Sequence, residues 1–299
     1  MTKRHLLFTS NAAKLQYRIL MLLFHIAFNR YLFGIFTRGL TRFFSAQNAV
    51  LLQMASGHAF KIYLNDGYWT RFVLFGGSYE PEIETVIASA AGSTDIFCDL
   101  GANKGYWSVY AANLFEKVIS IEASSETYKA LTENTKNISN VDRRWRAAYS
   151  KSDVELQFIN TVNSHASARL GDDAAKSDAT EKVRTIAVDD LLTPGDHALI
   201  KMDVEGAEAD AIDGAKRALL GGSVIIYEDH GSDAACKPSA YLLMLDEIRL
   251  YSCEKPYQRL NSIEAIAALK TDPFKGYNFL AGRSDSLLLA SILQGFAKL

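Results

Sequence analysis

Between residues 96 and 228 the chain repeats one alternation: a short unbroken apolar run, a turn, then a stretch whose apolar positions recur three and four apart. Runs of the first kind suit strands buried on both faces, and stretches of the second suit helices. Strands are predicted at 96–99, 117–122, 198–203 and 223–228, and helices at 106–114, 125–136 and 206–220. The last helix stops at Gly221-Gly222. Segments 144–148, 154–159 and 182–188 are also β-prone and surround a polar loop over 160–180, with a helical turn at 188–192. Further on, 241–248 reads as helix, 250–256 as strand, and 277–281 and 286–290 as late strands. Strands that alternate with helices predict a mainly parallel sheet with helices on both faces.

The upstream pattern differs. Residues 12–44 predict two helices with a break near Gly34, and Lys14, Arg18 and His25 line up at helical spacing. Segments 49–56 and 58–64 predict a hairpin turning at Ser56-Gly57, and Pro81 suits the first turn of a helix over 82–90. The expected regions are therefore a basic amphipathic helical stretch (1–46), a hairpin and helix leading into the core (47–95), and a cofactor-binding domain (96–299).

Charge sharpens the first of these. The opening 65 residues carry Lys3, Arg4, Lys14, Arg18, Arg30, Arg38, Arg42 and Lys61 and no acid, although the whole chain has a net charge of -2. That balance argues against a nucleic-acid partner. The apolar run 19–28 is shorter than the roughly 20 residues a bilayer span needs. A basic amphipathic helix suits an anionic membrane surface; the alternative is a cap packed on the catalytic domain or on a second subunit. Peripheral membrane contact and homo-oligomerisation are both open expectations. Hydrophobic content of 48% and charged content of 22% are those of an ordinary globular protein. Cys98, Cys236 and Cys253 show no paired metal-ligand spacing. With no cleavable signal pattern, they suit a reducing cytoplasm, at most at the inner face of the membrane.

Ligands of open α/β sheets sit beyond the carboxyl ends of the strands. The predicted strands end in Asp99-Leu100-Gly101, Glu122, Asp203-Val204-Glu205-Gly206 and Glu228-Asp229-His230. Each brings a carboxylate, and a buried carboxylate needs a partner. Gly101 and Gly105 allow a tight turn into a helix N-terminus, and Glu122, seventeen positions on, can accept from both hydroxyls of a ribose. A dinucleotide fingerprint would be G-x-G-x-x-G. Here the glycines are spaced Gly101-x-x-x-Gly105, and an Asp precedes the turn where a pyrophosphate would be repelled. A cofactor with an ammonium, a sulfonium and a ribose, S-adenosylmethionine, suits the acids better than NAD.

Asp99-Leu100-Gly101-Ala102-Asn103-Lys104-Gly105, Glu122, Ile200-Lys201-Met202-Asp203-Val204-Glu205-Gly206-Ala207-Glu208 and Ile225-Ile226-Tyr227-Glu228 resemble the FkbM family of S-adenosylmethionine-dependent methyltransferases over roughly residues 75–232. Ala123 departs from the Pro that many members carry after the acid. The resemblance implies a class I, Rossmann-like sheet of seven strands, the last antiparallel, and O-methylation of a sugar, polyketide or glycolipid hydroxyl. It also implies a cofactor site of Asp99, Gly101, Ala102, Asn103, Gly105, Glu122 and Asp203. The acceptor is expected to be a small molecule or glycan.

An alcohol needs a base before it attacks. His230 and Asp203 are the candidates, with Glu205 orienting the acceptor and Glu80 and Glu228 binding it. The bland alternatives are an exposed loop histidine for His230 and an ion pair with Asp203 or Glu228 for Lys201. Asp189-Asp190 read as helix-capping residues. Asp203, Glu228, Asp229 and His230 offer donors for Mg²⁺, but the resemblance requires no metal and none is expected. The loop 163–169 has the composition of a lid or of a solvated connection. Two other functions compete: an NAD-dependent oxidoreductase, which the glycine spacing disfavours, and a non-catalytic membrane-associated protein that keeps the fold.

Overall fold

In the computed structural model of the chain, the described residues are 5–26, 43–54, 57–75, 79–160, 169–170 and 179–297. They form two units, 1–81 and 82–299. In the first, β1 (Leu6–Phe8), β2 (Ala49–Gln53) and β3 (Ala59–Tyr63) make an antiparallel sheet in the order β1-β2-β3. The predicted hairpin is the β2–β3 pair, and β1 joins it unforeseen. The helix Asn11–Ile26 buries Ala13, Gln16 and Leu20, spaced three and four apart. Asn48 Nδ2 donates to the Gln16 amide oxygen at 2.8 Å. Lys14, Leu15, Arg18 and Leu22 stay exposed. The rest of the predicted helical pair, 27–42 with its break at Gly34, lies outside the described residues. A helix that the pattern did not predict, Gly67–Phe75, is capped by Asp66, whose Oδ1 accepts from the backbone N–H of Tyr68 (3.0 Å) and Trp69 (3.1 Å).

The second unit begins in the predicted helix Pro81–Ala90 and holds the main sheet. Its strands include β4 (Ile96–Leu100), β5 (Lys117–Glu122) and β6 (Val141–Trp145). A smaller sheet follows from β7 (Ala147–Ala148), β8 (Glu155–Asn160), β9 (Arg169–Leu170) and β10 (Ala179–Ile186), ordered β7-β10-β8-β9. The expected loop 160–180 therefore contains a strand, β9; the segments 161–168 and 171–178, and with them most of the expected lid, lie outside the described residues. The main sheet is completed by β11 (Ala198–Met202), β12 (Val224–His230), β13 (Ile248–Ser252), β14 (Arg259–Leu260) and β15 (Gly276–Arg283).

Strand order is β14-β13-β15-β12-β11-β4-β5-β6. The pairs from β12 to β6 are parallel, and β15 runs antiparallel to both β12 and β13. This is the seven-strand class I, Rossmann-like arrangement, with β14 as a short eighth strand. Phe97 to Leu100 and all five residues of β11 are buried, which is why these strands read as continuous apolar runs.

Several expectations need correction. The helix expected over 241–248 is Lys237–Leu243, with Ile248 opening β13, and the segment 144–148 is divided between β6 and β7 of different sheets. Residues 286–290 are not a strand but the start of the helix Leu287–Phe296, capped by Ser286, whose Oγ accepts from the Leu289 N–H at 3.3 Å. The single helix predicted over 206–220 is two, Glu208–Asp213 and Lys216–Leu220. Gly214 between them packs so closely on a neighbouring strand end that a Cβ would stand 2.1 Å from the Tyr149 carbonyl oxygen. Asp189 caps the second piece as expected, accepting from Arg217 N and Ala218 N at 2.8 Å each.

Candidate active site

The chain leaves β4, runs out to β6, and returns to β11 beside β4. Strand order thus reverses between these two neighbours, and a crevice opens there at the carboxyl ends. Two turns form its floor. In the first, the N–H groups of Gly101 and Ala102 both donate to the Ile121 carbonyl, at 3.0 and 2.9 Å. Gly101 (φ 71°), Asn103 (51°) and Gly105 (88°) all hold left-handed backbone. At Gly101 glycine is obligatory, since a Cβ would lie 1.7 Å from the Asp203 carbonyl oxygen of the facing turn. Ala102 is buried, and Gly105 leads into the helix Tyr106–Ala111.

Glu122 closes β5 and is buried. One carboxylate oxygen accepts from Asn103 N at 2.8 Å and the other from Ser124 N at 2.8 Å. Burial pushes its pKa up to about 7, while the backbone donors pull it back. The acid is therefore tied to the glycine turn it was expected to serve.

Asp99 is fully buried. Its Oδ2 accepts from Ser108 Oγ at 2.6 Å, and Ser120 Oγ donates to Ser108 Oγ at 2.8 Å. Among the described residues its Oδ1 finds no hydrogen-bond partner, although Lys201 Nζ stands 4.0 Å away. Burial raises this carboxyl above the usual range and Lys201 opposes that. Lys201 pairs in register with Asp99 across β11 and β4, and its ammonium also reaches Asp203 Oδ2 at 3.3 Å. The expected ion pair with Asp203 is thus present, with Asp99 as its second acid.

The turn after β11 is built from within. Glu208 accepts from Val204 N at 3.1 Å and from Gly206 N at 3.1 and 3.0 Å, which folds the chain back over Glu205 (φ 55°) and Gly206 (100°). Burial, then the charges of Asp203 and Glu208, push Glu205 up to about 8. Glu228 lies against Gly276, where a Cβ would meet its Oε1 at 1.3 Å. Burial, then the charge of the hydrogen-bonded Asp203, raises the Glu228 carboxyl strongly.

His230, two residues on and so on the same strand face, is exposed at the rim. Its Nδ1 lies 2.7 Å from Ser232 Oγ and accepts the Ser232 N–H at 3.2 Å. Asp229 points the other way, buried against Lys270 Nζ (2.5 Å) and Ser239 Oγ (2.6 Å), and is spent on structure. Glu80 belongs to the other unit, where its backbone is left-handed (φ 44°).

Strand ends thus bring together Asp99, Glu122, Asp203, Glu205, Glu208 and Glu228, with Lys201 beneath them. Sequence reasoning missed Ser108 and Ser120 and quoted Glu208 in the motif without giving it a role. Glu208 had a signal, an acid at the first position of a helix; the serines had none, because their meeting depends on the register of β4 and β5. Among the described residues, no group of three or more His, Cys, Asp or Glu side chains is placed to hold a metal ion. A crevice with this excess of acid favours a cationic ligand.

The strand order, the reversal point and the glycine turn define a Rossmann-like methyltransferase fold. Residues 99–259, more than half of the chain, match the Methyltransferase FkbM domain, and the chain belongs to that family of methyltransferases. Hexuronic acid methyltransferase AglP of Haloferax volcanii is 24% identical over 174 residues, which cover 57% of this chain and 70% of AglP. Among solved structures, the FkbM methyltransferase of Methylobacillus flagellatus KT is similar at a TM-score of 0.40 and 14% identity, covering 73% of this chain. This chain spans 54% of that protein's length. SMU.1697c of Streptococcus mutans, solved in complex with SAH, is similar at a TM-score of 0.41 and 13% identity, over 69% of this chain and 99% of that one.

Proposed function

We propose that the chain is an S-adenosylmethionine-dependent O-methyltransferase whose acceptor is a sugar hydroxyl of a glycan, glycolipid or glycosylated metabolite. One observation carries the cofactor reading. A buried carboxylate, Glu122, is fixed by backbone donors beside a turn so tight that Gly101 touches the opposite strand end. The residues present fit the donor's charges and hydroxyls. Glu122 would hold the ribose hydroxyls, the turn 101–105 would cradle the methionine end, and the acids around Asp203 would face its cationic centres. Bound there, the donor supplies a methyl group on a positively charged sulfur. The acceptor class draws support from the kinship with AglP.

The chain's own residues must then position a hydroxyl and take its proton. His230 Nδ1 is engaged by the hydroxyl and N–H of Ser232, so Nε2 is the nitrogen left to bind the acceptor. The base role falls to Asp203, whose charge Lys201 stabilises at 3.3 Å, while Glu205 and Glu228 orient the acceptor.

Calorimetric titration tests the cofactor assignment. Glu122→Ala is expected to weaken S-adenosylmethionine binding at least about 10- to 100-fold, the loss of a single hydrogen bond to a charged group at about 1.5–3 kcal/mol. Unchanged affinity would remove Glu122 from the site. Turnover is to be read as O-methyl sugar after hydrolysis of a uronic-acid glycan incubated with the donor. Methyl transferred to a non-sugar acceptor in its place would overturn the acceptor class.

Protonation gives a second test. Burial pushes Glu122 and Glu205 up to about 7 and about 8, and a bound cation favours their ionised forms. Binding should therefore release protons, and affinity for S-adenosylmethionine should rise from pH 6 to pH 8.5. S-adenosylhomocysteine, which lacks the sulfonium charge, should show a shallower rise. Titrations in two buffers of different ionisation enthalpy measure the protons released; none released, or equal slopes for both ligands, contradicts the acidic seat.

A further inference from the structure

A second cavity lies away from the acidic crevice floor. It is a cleft of about 540 Å³ between β6, the last strand of the main sheet, and the segments around Ser152 and Thr185. That size falls within the roughly 300–1,000 Å³ of small-ligand sites. Its wall carries Arg143, Arg144, Trp145 and Arg146 in succession.

The wall of this cleft carries three guanidinium groups against two carboxylates. Arg144 is occupied by Asp142, whose Oδ2 accepts from Nε (3.1 Å) and Nη2 (2.9 Å). Arg146 gives one N–H to the Trp145 carbonyl at 3.0 Å. The half-buried guanidinium of Arg143 has no hydrogen-bond or ion-pair partner among the described residues. The two acids in the wall are already engaged: Asp190 accepts from Ser152 Oγ at 2.5 Å, and Asp153 lies 3.9 Å from Arg184. A guanidinium has five N–H groups in a planar fork that matches the oxygens of a carboxylate or phosphate. Arg143 lines the cleft, and among the described residues no acid lies within ion-pair distance of it.

Beside it stands an aromatic surface. Trp145 shares its strand face with Arg143 and is 40% exposed, whereas Trp69 and Trp107 are 3% and 4% exposed. Its Nε1 donates to the Ala123 carbonyl at 2.8 Å, which fixes the ring. A fixed, open indole can stack on the C–H face of a sugar ring, which leaves that sugar's polar groups free for the guanidinium fork. Trp145 also pairs in register with Glu122, so the cleft begins one strand spacing, about 4.8 Å, from the acid at the crevice.

We propose that this cleft is a saccharide-binding subsite for an oxyanion-bearing sugar, with the ring on Trp145 and the carboxylate or phosphate on Arg143. It rests on the reading of the chain as a glycan methyltransferase and adds a place where an acidic unit of the acceptor is gripped while a neighbouring hydroxyl enters the crevice.

The test uses full-length protein and the quenching of tryptophan fluorescence, Trp145 being the most exposed of the three tryptophans. The probes are a glucuronic-acid-containing tetrasaccharide, its carboxyl-reduced counterpart, glucose 1-phosphate and inorganic phosphate. Saturable quenching by the tetrasaccharide or by glucose 1-phosphate is expected, and which of the two binds tells carboxylate from phosphate. Arg143→Ala should weaken that binding at least tenfold, with Arg143→Lys in between because it keeps the charge without the fork. S-adenosylhomocysteine affinity should stay within twofold in both variants, which shows the site next door to be folded. Binding by the carboxyl-reduced sugar as tight as by the acidic one, unchanged affinity in Arg143→Ala, or saturation by inorganic phosphate alone would overturn the proposal. None of these outcomes would touch the cofactor reading, which the Glu122 titration decides separately.

Discussion

Lys201→Met is expected to cost the second unit about 3–5 kcal/mol, the usual penalty for removing one partner of a buried ion pair. The side chain is 3% exposed and stands between Asp99, itself 1% exposed, and Asp203. Among the described residues, Asp99 without the ammonium keeps one good partner, the Ser108 hydroxyl, and an oxygen that makes no hydrogen bond. A methionine of similar length fills the space, so the loss is electrostatic rather than a cavity. Two signatures separate this from general damage. The deficit should shrink as pH falls, because Asp99 can take up a proton in place of its lost cation. Asp99→Asn combined with Lys201→Met should recover most of the stability, since the pair is removed as a unit. Urea unfolding at pH 7 and pH 5, followed by near-ultraviolet circular dichroism, provides the measurement. A deficit below about 1 kcal/mol, the size of an exposed pair, would show that Lys201 is not the counter-ion of the floor.

Gly101→Ala should abolish donor binding outright. The added methyl carbon would stand 1.7 Å from the Asp203 carbonyl oxygen and 2.8 Å from its carbon, backbone atoms that have no rotamer by which to move aside. The residue is also held at φ 71°, a conformation that costs a non-glycine residue about 1–2 kcal/mol. Relief requires the turns after β4 and β11 to part, and those two turns are the floor of the crevice. Gly206→Ala is the control. It bears the same kind of strain, at φ 100°, but a Cβ there meets nothing within 4 Å. It should lose stability by about the strain alone and still bind. Retention of S-adenosylmethionine affinity within threefold in Gly101→Ala would mean that the turns are not jointly responsible for the site.

The sequence made the central sheet readable because its strands are buried on both faces and so appear as short apolar runs. The strand at 117–122 was found to the residue. It failed where a cue of the opposite kind was present. Ser286 caps a helix made of Leu287, Leu288 and Leu289, and that apolar start imitates a strand. Asp66 before Gly67 is a cap signal masked by the aromatic residues behind it. Gly214 divides a helix for a reason that lies on another segment, the Tyr149 carbonyl. At the site, the acids that end strands were legible because a carboxylate after an apolar run is rare. Their partnerships were not. That Lys201 faces Asp99 depends on how β11 aligns with β4, and the open cleft at Arg143 depends on where the smaller sheet lies.

The turn that Glu208 ties has a consequence for how this enzyme can change over evolutionary time. Its backbone donors, Val204 and Gly206, and its acceptor lie within five residues, so the geometry travels with the segment and does not depend on distant neighbours. Such a piece behaves as a cassette: one inserted or deleted residue between Asp203 and Glu208 would break it. The rim after His230 is tied in the same way, with the Ser232 N–H on His230 Nδ1 and the Ala235 and Lys237 N–H groups on Asp233. Both edges of the acidic crevice are thus set by short stretches of sequence, and change there must come by substitution rather than by insertion or deletion.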